Sequence, residues 1–151
     1  MKQRLIISAC LLGKPTRYDG KSVLAIDDKT LKRLSEKYEL IPVCPETAGG
    51  LPTPRVASER LGERVIMKDG HDVTREFYLG ATLCYNIAAE HGACLALLKE
   101  RSPSCGKSEI YDGSFEGRKI KGQGVFAQML TQKGFSVYSE DDICKLLKQT
   151  E

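Results

Sequence analysis

Cys10, Cys44 and Cys105 share a setting. Each falls just after a short apolar run: "RLIISAC", "LIPVC", and the "RSPSCG" that follows "ACLALLKE". A cysteine in such a place can be a small core residue, a nucleophile or a metal ligand, because free cysteine is at once often buried and, as thiolate, reactive. The neighbours favour a site. Pro45 follows Cys44 and has no N–H, Pro103 fixes the approach to Cys105, and Gly106 lets a backbone or ligand come close. Cys84, Cys94 and Cys144 instead lie on apolar helix faces or at a strand start, and read as small core residues.

Each chemistry makes its own demand on spacing. A phosphatase-type nucleophile needs an arginine and a ring of backbone N–H donors closing on its cysteine. In "CLLGKPTR" the distance from Cys10 to Arg17 is one residue too long, and Pro15 removes a donor. Structural zinc favours close pairs such as C-x-x-C, and no such pair occurs here. Thiolates from three separate strand ends would leave a coordination position open, which is a catalytic arrangement. All-thiolate ligation also suits an iron–sulfur cluster. The ferredoxin run of cysteines is absent, so spacing by itself leaves the choice of metal open.

The elements that must position these residues follow from periodicity. "RLIISAC", "LIPVCPE", "ACLALLKE" and "FSVYS" read as strands. "DDKTLKRLSEKYE", "TREFYLGATLCYNIAAEHG", "GVFAQMLTQKG" and "EDDICKLLKQ" read as helices. Acidic residues open the first, Gly92 ends the second, and Ser139 caps the last. "TAGGLPTPRVASE" reads as loop, "ERVIMKDGHDV" as a small hairpin around Asp69–Gly70, and "IYDGSFEGRKIKG" as an excursion or hairpin. Strands alternating with helices predict an α/β fold: one domain over residues 1–151, with a mainly parallel, open, Rossmann-like sheet and helices on both faces. Ligands bind such sheets beyond the carboxyl ends of the strands. That is the edge where Cys10, Cys44 and Cys105 should meet.

Composition excludes some functions. The chain has 151 residues, 41% hydrophobic and 28% charged, as in an ordinary globular protein. A net charge of +3 without a basic block argues against a nucleic-acid partner. No run approaches a membrane span of about 20 apolar residues. With no leader-like start and a core of its own, the chain is expected in the cytoplasm, with reduced thiols.

Taken together and in order, the motifs resemble a known family. "SACLLG" at 8–13, "RYDG" at 17–20, "CPE" at 44–46, "GGLPTPR" at 49–55, "GHDVT" at 70–74, "RSPSCG" at 101–106 and "IYDG" at 110–113 are similar to those of the bacterial thiouracil desulfidase-like family. The resemblance implies a [4Fe-4S] cluster held by Cys10, Cys44 and Cys105, with one iron lacking a protein ligand. It implies removal of sulfur from thiouracil or a related thiolated pyrimidine, giving the oxo product and sulfide without net redox change. Glu46, two residues after a ligand, would then be the base for water, and Ser104, directly before Cys105, would position substrate or a proton. Arg17, Asp19, Arg55 and Arg101 would hold substrate or offset the charge of the cluster. Two other functions compete: a cluster enzyme acting on another sulfur-containing small molecule, and a non-catalytic metal-binding sensor domain.

Overall fold

The computed structural model of the protein describes residues 2–13, 18–19 and 26–148. The chain begins with β1 (Gln3–Ser8), a 3₁₀ turn (Ala9–Leu12), α1 (Asp28–Lys37), β2 (Tyr38–Val43) and the short α2 (Pro45–Ala48). β3 (Ser58–Leu61), β4 (Arg64–Met67), α3 (Thr74–Glu90), β5 (Leu95–Leu98), β6 (Glu109–Tyr111) and β7 (Lys119–Lys121) come next. It continues through α4 (Val125–Gln132), β8 (Ser136–Ser139), a second 3₁₀ turn (Glu140–Asp142) and α5 (Ile143–Lys148).

β2, β1, β5 and β8 form one sheet in that order, and every pairing is parallel. These are the strands predicted from the apolar runs. Alternation along β1 sends side chains to opposite faces, and both faces are covered. Leu5 and Ile7 pack with Leu95 and Leu97 against Leu34 of α1 and Leu146 of α5. Ile6 packs with Ile41, Ala96 and Leu98 against Phe77 and Ala81 of α3 and Phe126 and Leu130 of α4. The cap expected at Ser139 forms, and Asp27 caps α1 as well. The Asp27 side chain accepts from the Thr30 N–H, and Ser139 and Asp142 make a reciprocal capping box.

Three expectations need correction. The presumed loop over residues 47–59 ends in the first half of β3, which pairs with β4 through a turn at Gly62. The signal was hidden because "SERL" is mostly polar. Its Arg60, 7% exposed, folds inward to donate to the carbonyls of Gly62 and Gln123 and to Gln128. The small hairpin expected around Asp69–Gly70 is present: its tight turn returns the chain to an Ile66–Asp72 bridge. The first helix ends before Tyr38, which already belongs to β2. Lastly, Cys94 and Cys144 are exposed, while Cys84 is buried as expected. Cys94 sits at the amino edge, before the buried run of β5, and α5 turns Leu146 inward instead of Cys144.

Candidate active site

β1 has β2 on one side and β5 on the other, so chain connections diverge at its carboxyl end, where open α/β sheets bind ligands. The Lys99 N–H donates to Ser8 Oγ at 2.9 Å and ties the two strand ends together. Above them lies a cavity of about 540 Å³, whose walls include Cys10, Cys44, Glu46, Arg55, Ser104 and Cys105. Cys10 comes from the 3₁₀ turn after β1, and Cys44 stands at the N-cap of α2 with Pro45 in the first helical position. Glu46 follows in that first turn. Two glycines press α2 onto α3: a Cβ on Gly80 would lie 1.7 Å from the Pro45 carbonyl oxygen, and one on Gly49 would lie 2.0 Å from that of Glu76. Glycine within a helix costs about 1 kcal/mol; here the close approach requires it.

Cys105 rides on a loop held from two sides. The buried carboxylate of Glu100 takes the backbone N–H groups of Lys107, Ser108 and Glu109 on Oε1, at 2.8, 2.9 and 3.1 Å. From the other side, the first turn of α4 donates N–H groups of Val125 to Pro103 O, and of Phe126 and Ala127 to Ser104 O. Carbonyls of the cysteine loop thus take up donors that a helix N-terminus leaves without an intrahelical partner.

The polar side chains form a row. Arg55 Nε and Nη2 donate to Glu46 Oε1 at 3.1 and 2.9 Å, and both side chains are shielded, at 3% and 14% exposure. The other carboxylate oxygen, Oε2, accepts from Ser104 Oγ at 3.0 Å, and Ser104 Oγ lies 2.9 Å from Ser102 Oγ. Burial pushes the Cys105 thiol well above its usual range. The Ser8 and Ser104 hydroxyls pull it down, and the nearby Cys10 and Cys44 push it up. Burial, with a smaller push from Cys44, takes Cys84 up to about 12, as befits a neutral core thiol.

The donor set at the cavity is soft. Among the described residues no three His, Cys, Asp or Glu side chains converge closely enough to hold a single metal ion. A cubane spreads its thiolates over separate irons, and cysteines placed around a shared cavity could hold one. Of the other residues singled out in the sequence, Arg17 lies outside the described residues. Asp19 is half-buried beside the cavity-lining Tyr18, whose carbonyl accepts the Arg55 N–H. Arg55 grips Glu46, Pro52 O and Thr53 Oγ1. Arg101 lines the cavity in a left-handed conformation, φ 65°, and meets Glu109 at 3.3 Å. Sequence reasoning missed Ser102 and Glu100. The Ser–Pro step at 102–103, a common turn opener, was the available sign of the first; the second had none.

The model of the 2-thiouracil desulfurase family matches residues 5–142. The chain belongs to the 2-thiouracil desulfurase family. A solved structure of the [4Fe-4S]-dependent thiouracil desulfidase TudS is 46% identical in sequence and superposes with a TM-score of 0.91, covering 96% of this chain and 95% of that one. The uncharacterized protein YbbK of Bacillus subtilis (strain 168) is 37% identical over 153 residues, which is 95% of this chain and 99% of that protein. Membership in the desulfurase family agrees with the resemblance carried by the ordered motifs, and the match reaches into all four strands of the parallel sheet. Among the described residues no helix is long and apolar enough to cross a membrane.

Proposed function

We propose that this protein removes the sulfur of 2-thiouracil or a related thiolated pyrimidine by hydrolysis, with Cys10, Cys44 and Cys105 holding a [4Fe-4S] cluster. One observation carries the reading. Glu46, gripped at one oxygen by Arg55 and met at the other by Ser104, lines the same cavity as the three cysteines. When bound, the cluster supplies a soft Lewis acid suited to a thiocarbonyl sulfur. The protein's own groups handle water and protons. Glu46 Oε2 takes a proton from the water that attacks the ring carbon, directly or through Ser104 Oγ. A C–O bond forms and the C–S bond breaks. Sulfur leaves as sulfide with the water protons, and no electrons are exchanged. Tyr18, Asp19, Arg17 and Arg101 are candidates for contacts to the pyrimidine. The cytoplasm, where thiols stay reduced, suits such a cluster.

Glu46→Gln tests this reading. It preserves the shape of the side chain and can still hydrogen-bond to Ser104, but it cannot act as a base. General-base catalysis contributes about 10²–10⁴-fold, so sulfide release should fall by at least ~10²-fold at matched iron content under anaerobic conditions. Near-wild-type turnover would remove Glu46 from the mechanism.

A further inference from the structure

The proton positions in the row of hydroxyls follow from counting donors and acceptors. A serine hydroxyl has one proton and two lone pairs. Ser102 Oγ accepts the N–H of Ser104 at 3.1 Å and the N–H of Cys105 at 3.0 Å, which takes both lone pairs. Its proton is left for Ser104 Oγ, 2.9 Å away. Ser104 Oγ, accepting that proton, turns its own toward Glu46 Oε2 at 3.0 Å. The other recipient within reach, Cys105 Sγ, lies at 3.6 Å, and a hydrogen bond to a carboxylate is the stronger of the two. The chain therefore has one direction: Ser102 to Ser104 to Glu46. Accepting a hydrogen bond also polarises the Ser104 O–H and makes it a better donor.

We propose that Ser102 is a positioning residue of the reaction: it sets the direction of the Ser104 proton toward Glu46 and leaves one Ser104 lone pair facing the cavity for water or substrate. The proposal rests on the Glu46–Ser104 reading above. Ser102 itself need not touch the pyrimidine. Its two contacts to the backbone N–H groups also shape the turn that presents Cys105, so its test must separate turn-building from proton direction.

The experiment is anaerobic steady-state kinetics on 2-thiouracil, with iron and sulfide content measured for every variant. Ser102→Ala should lower kcat by about tenfold, the effect of one hydrogen bond, with KM and cluster content unchanged, and Ser102→Thr should restore the rate. In a Ser104→Ala background, Ser102→Ala should cost nothing more, because the residue through which it acts is gone. Should Ser102→Ala lose the cluster, Ser102→Asp decides: its oxygens still accept both N–H groups, as in an Asx turn, but it has no proton for Ser104. It should be slow at full cluster content. The proposal is overturned by a wild-type rate in Ser102→Ala or Ser102→Asp, by a full additional loss in the Ser104→Ala background, or by a cluster-replete Ser102→Thr that stays slow. Wild-type rates in Ser104→Ala and Glu46→Gln would instead sink the reading beneath it.

Discussion

Cys105 and Cys84 are both buried thiols whose acidity burial suppresses, yet their neighbours differ. Cys84 packs on the apolar face of α3 with Phe77, Ala81 and Ala88. Cys105 borders a cavity, with the hydroxyls of Ser8 and Ser104 beside its sulfur and with Cys10 and Cys44 near enough to raise its pKa. A metal ligand must lose its proton. The Ser8 hydroxyl favours the thiolate, and a cluster held by the three cysteines would offset the repulsion among them. Cys10→Ser, Cys44→Ser and Cys105→Ser should each abolish the visible absorbance and iron content of anaerobically purified protein. Cys84→Ser, Cys94→Ser and Cys144→Ser should keep both. Of these, Cys84→Ser should cost about 1–2 kcal/mol of stability, because it buries a hydroxyl, whereas the exposed positions stay within about 0.5 kcal/mol. A folded but bleached Cys84→Ser beside a brown Cys105→Ser would overturn the ligand assignment.

At the scale of elements, the site depends on how closely α4 approaches the cysteine loop. Gly124, at the N-cap of α4, has φ −67° and ψ 164°, a conformation open to any residue, so glycine is not needed there for flexibility. It is needed for room. A Cβ on Gly124 would lie 2.4 Å from the carbonyl carbon of Ser104 and 2.8 Å from the Cys105 nitrogen, both backbone atoms that cannot step aside as a side chain would. Gly124→Ala should therefore cost about 1–3 kcal/mol, as overpacking does. It should also shift the loop that carries Ser104 and Cys105. Thermal unfolding measures the first effect and iron retained per chain the second. Unchanged values for both would mean that α4 does not clamp the loop.

For the whole molecule, an apolar layer covers each face of the sheet. Each is built on alternate residues of β1 and β5; Asp27 caps α1, and Ser139 caps the turn that leads into α5. The cysteines lie at one edge of this framework. Stripping iron with a chelator should leave the far-UV circular dichroism and a cooperative unfolding transition in place. It should lower the midpoint by at least about 3 °C, since a group bound only by the folded state stabilises it and ~1 kcal/mol shifts a chain of this size by a few degrees. Collapse of the circular dichroism on iron removal would show that the cluster, not the two-sided core, holds the fold.

The sheet and the edge that carries the site were legible in the chain. Runs such as "LII" at 5–7 and "LALL" at 95–98 are apolar at every position, as strands covered on both faces must be. Parallel strands point the same way, so residues just past their ends gather at one edge: Cys10 and Cys44 by direct register, Cys105 through its loop. That follows from local periodicity. The hairpin strand "SERL" did not, because the burial of Arg60 depends on acceptors in residues 62, 123 and 128. The partners inside the site were likewise decided by tertiary structure. Arg55 reads in sequence as a loop cation facing solvent or substrate; its grip on Glu46, 9 residues away, could not be read there. Ser104 meets Glu46 across 58 residues. Glu100 gathers N–H groups from a loop that turns back over it. These contacts join irregular segments whose side-chain directions have no period to read. Only the packing of α2 on α3, and of α4 on the cysteine loop, brings them within hydrogen-bonding reach.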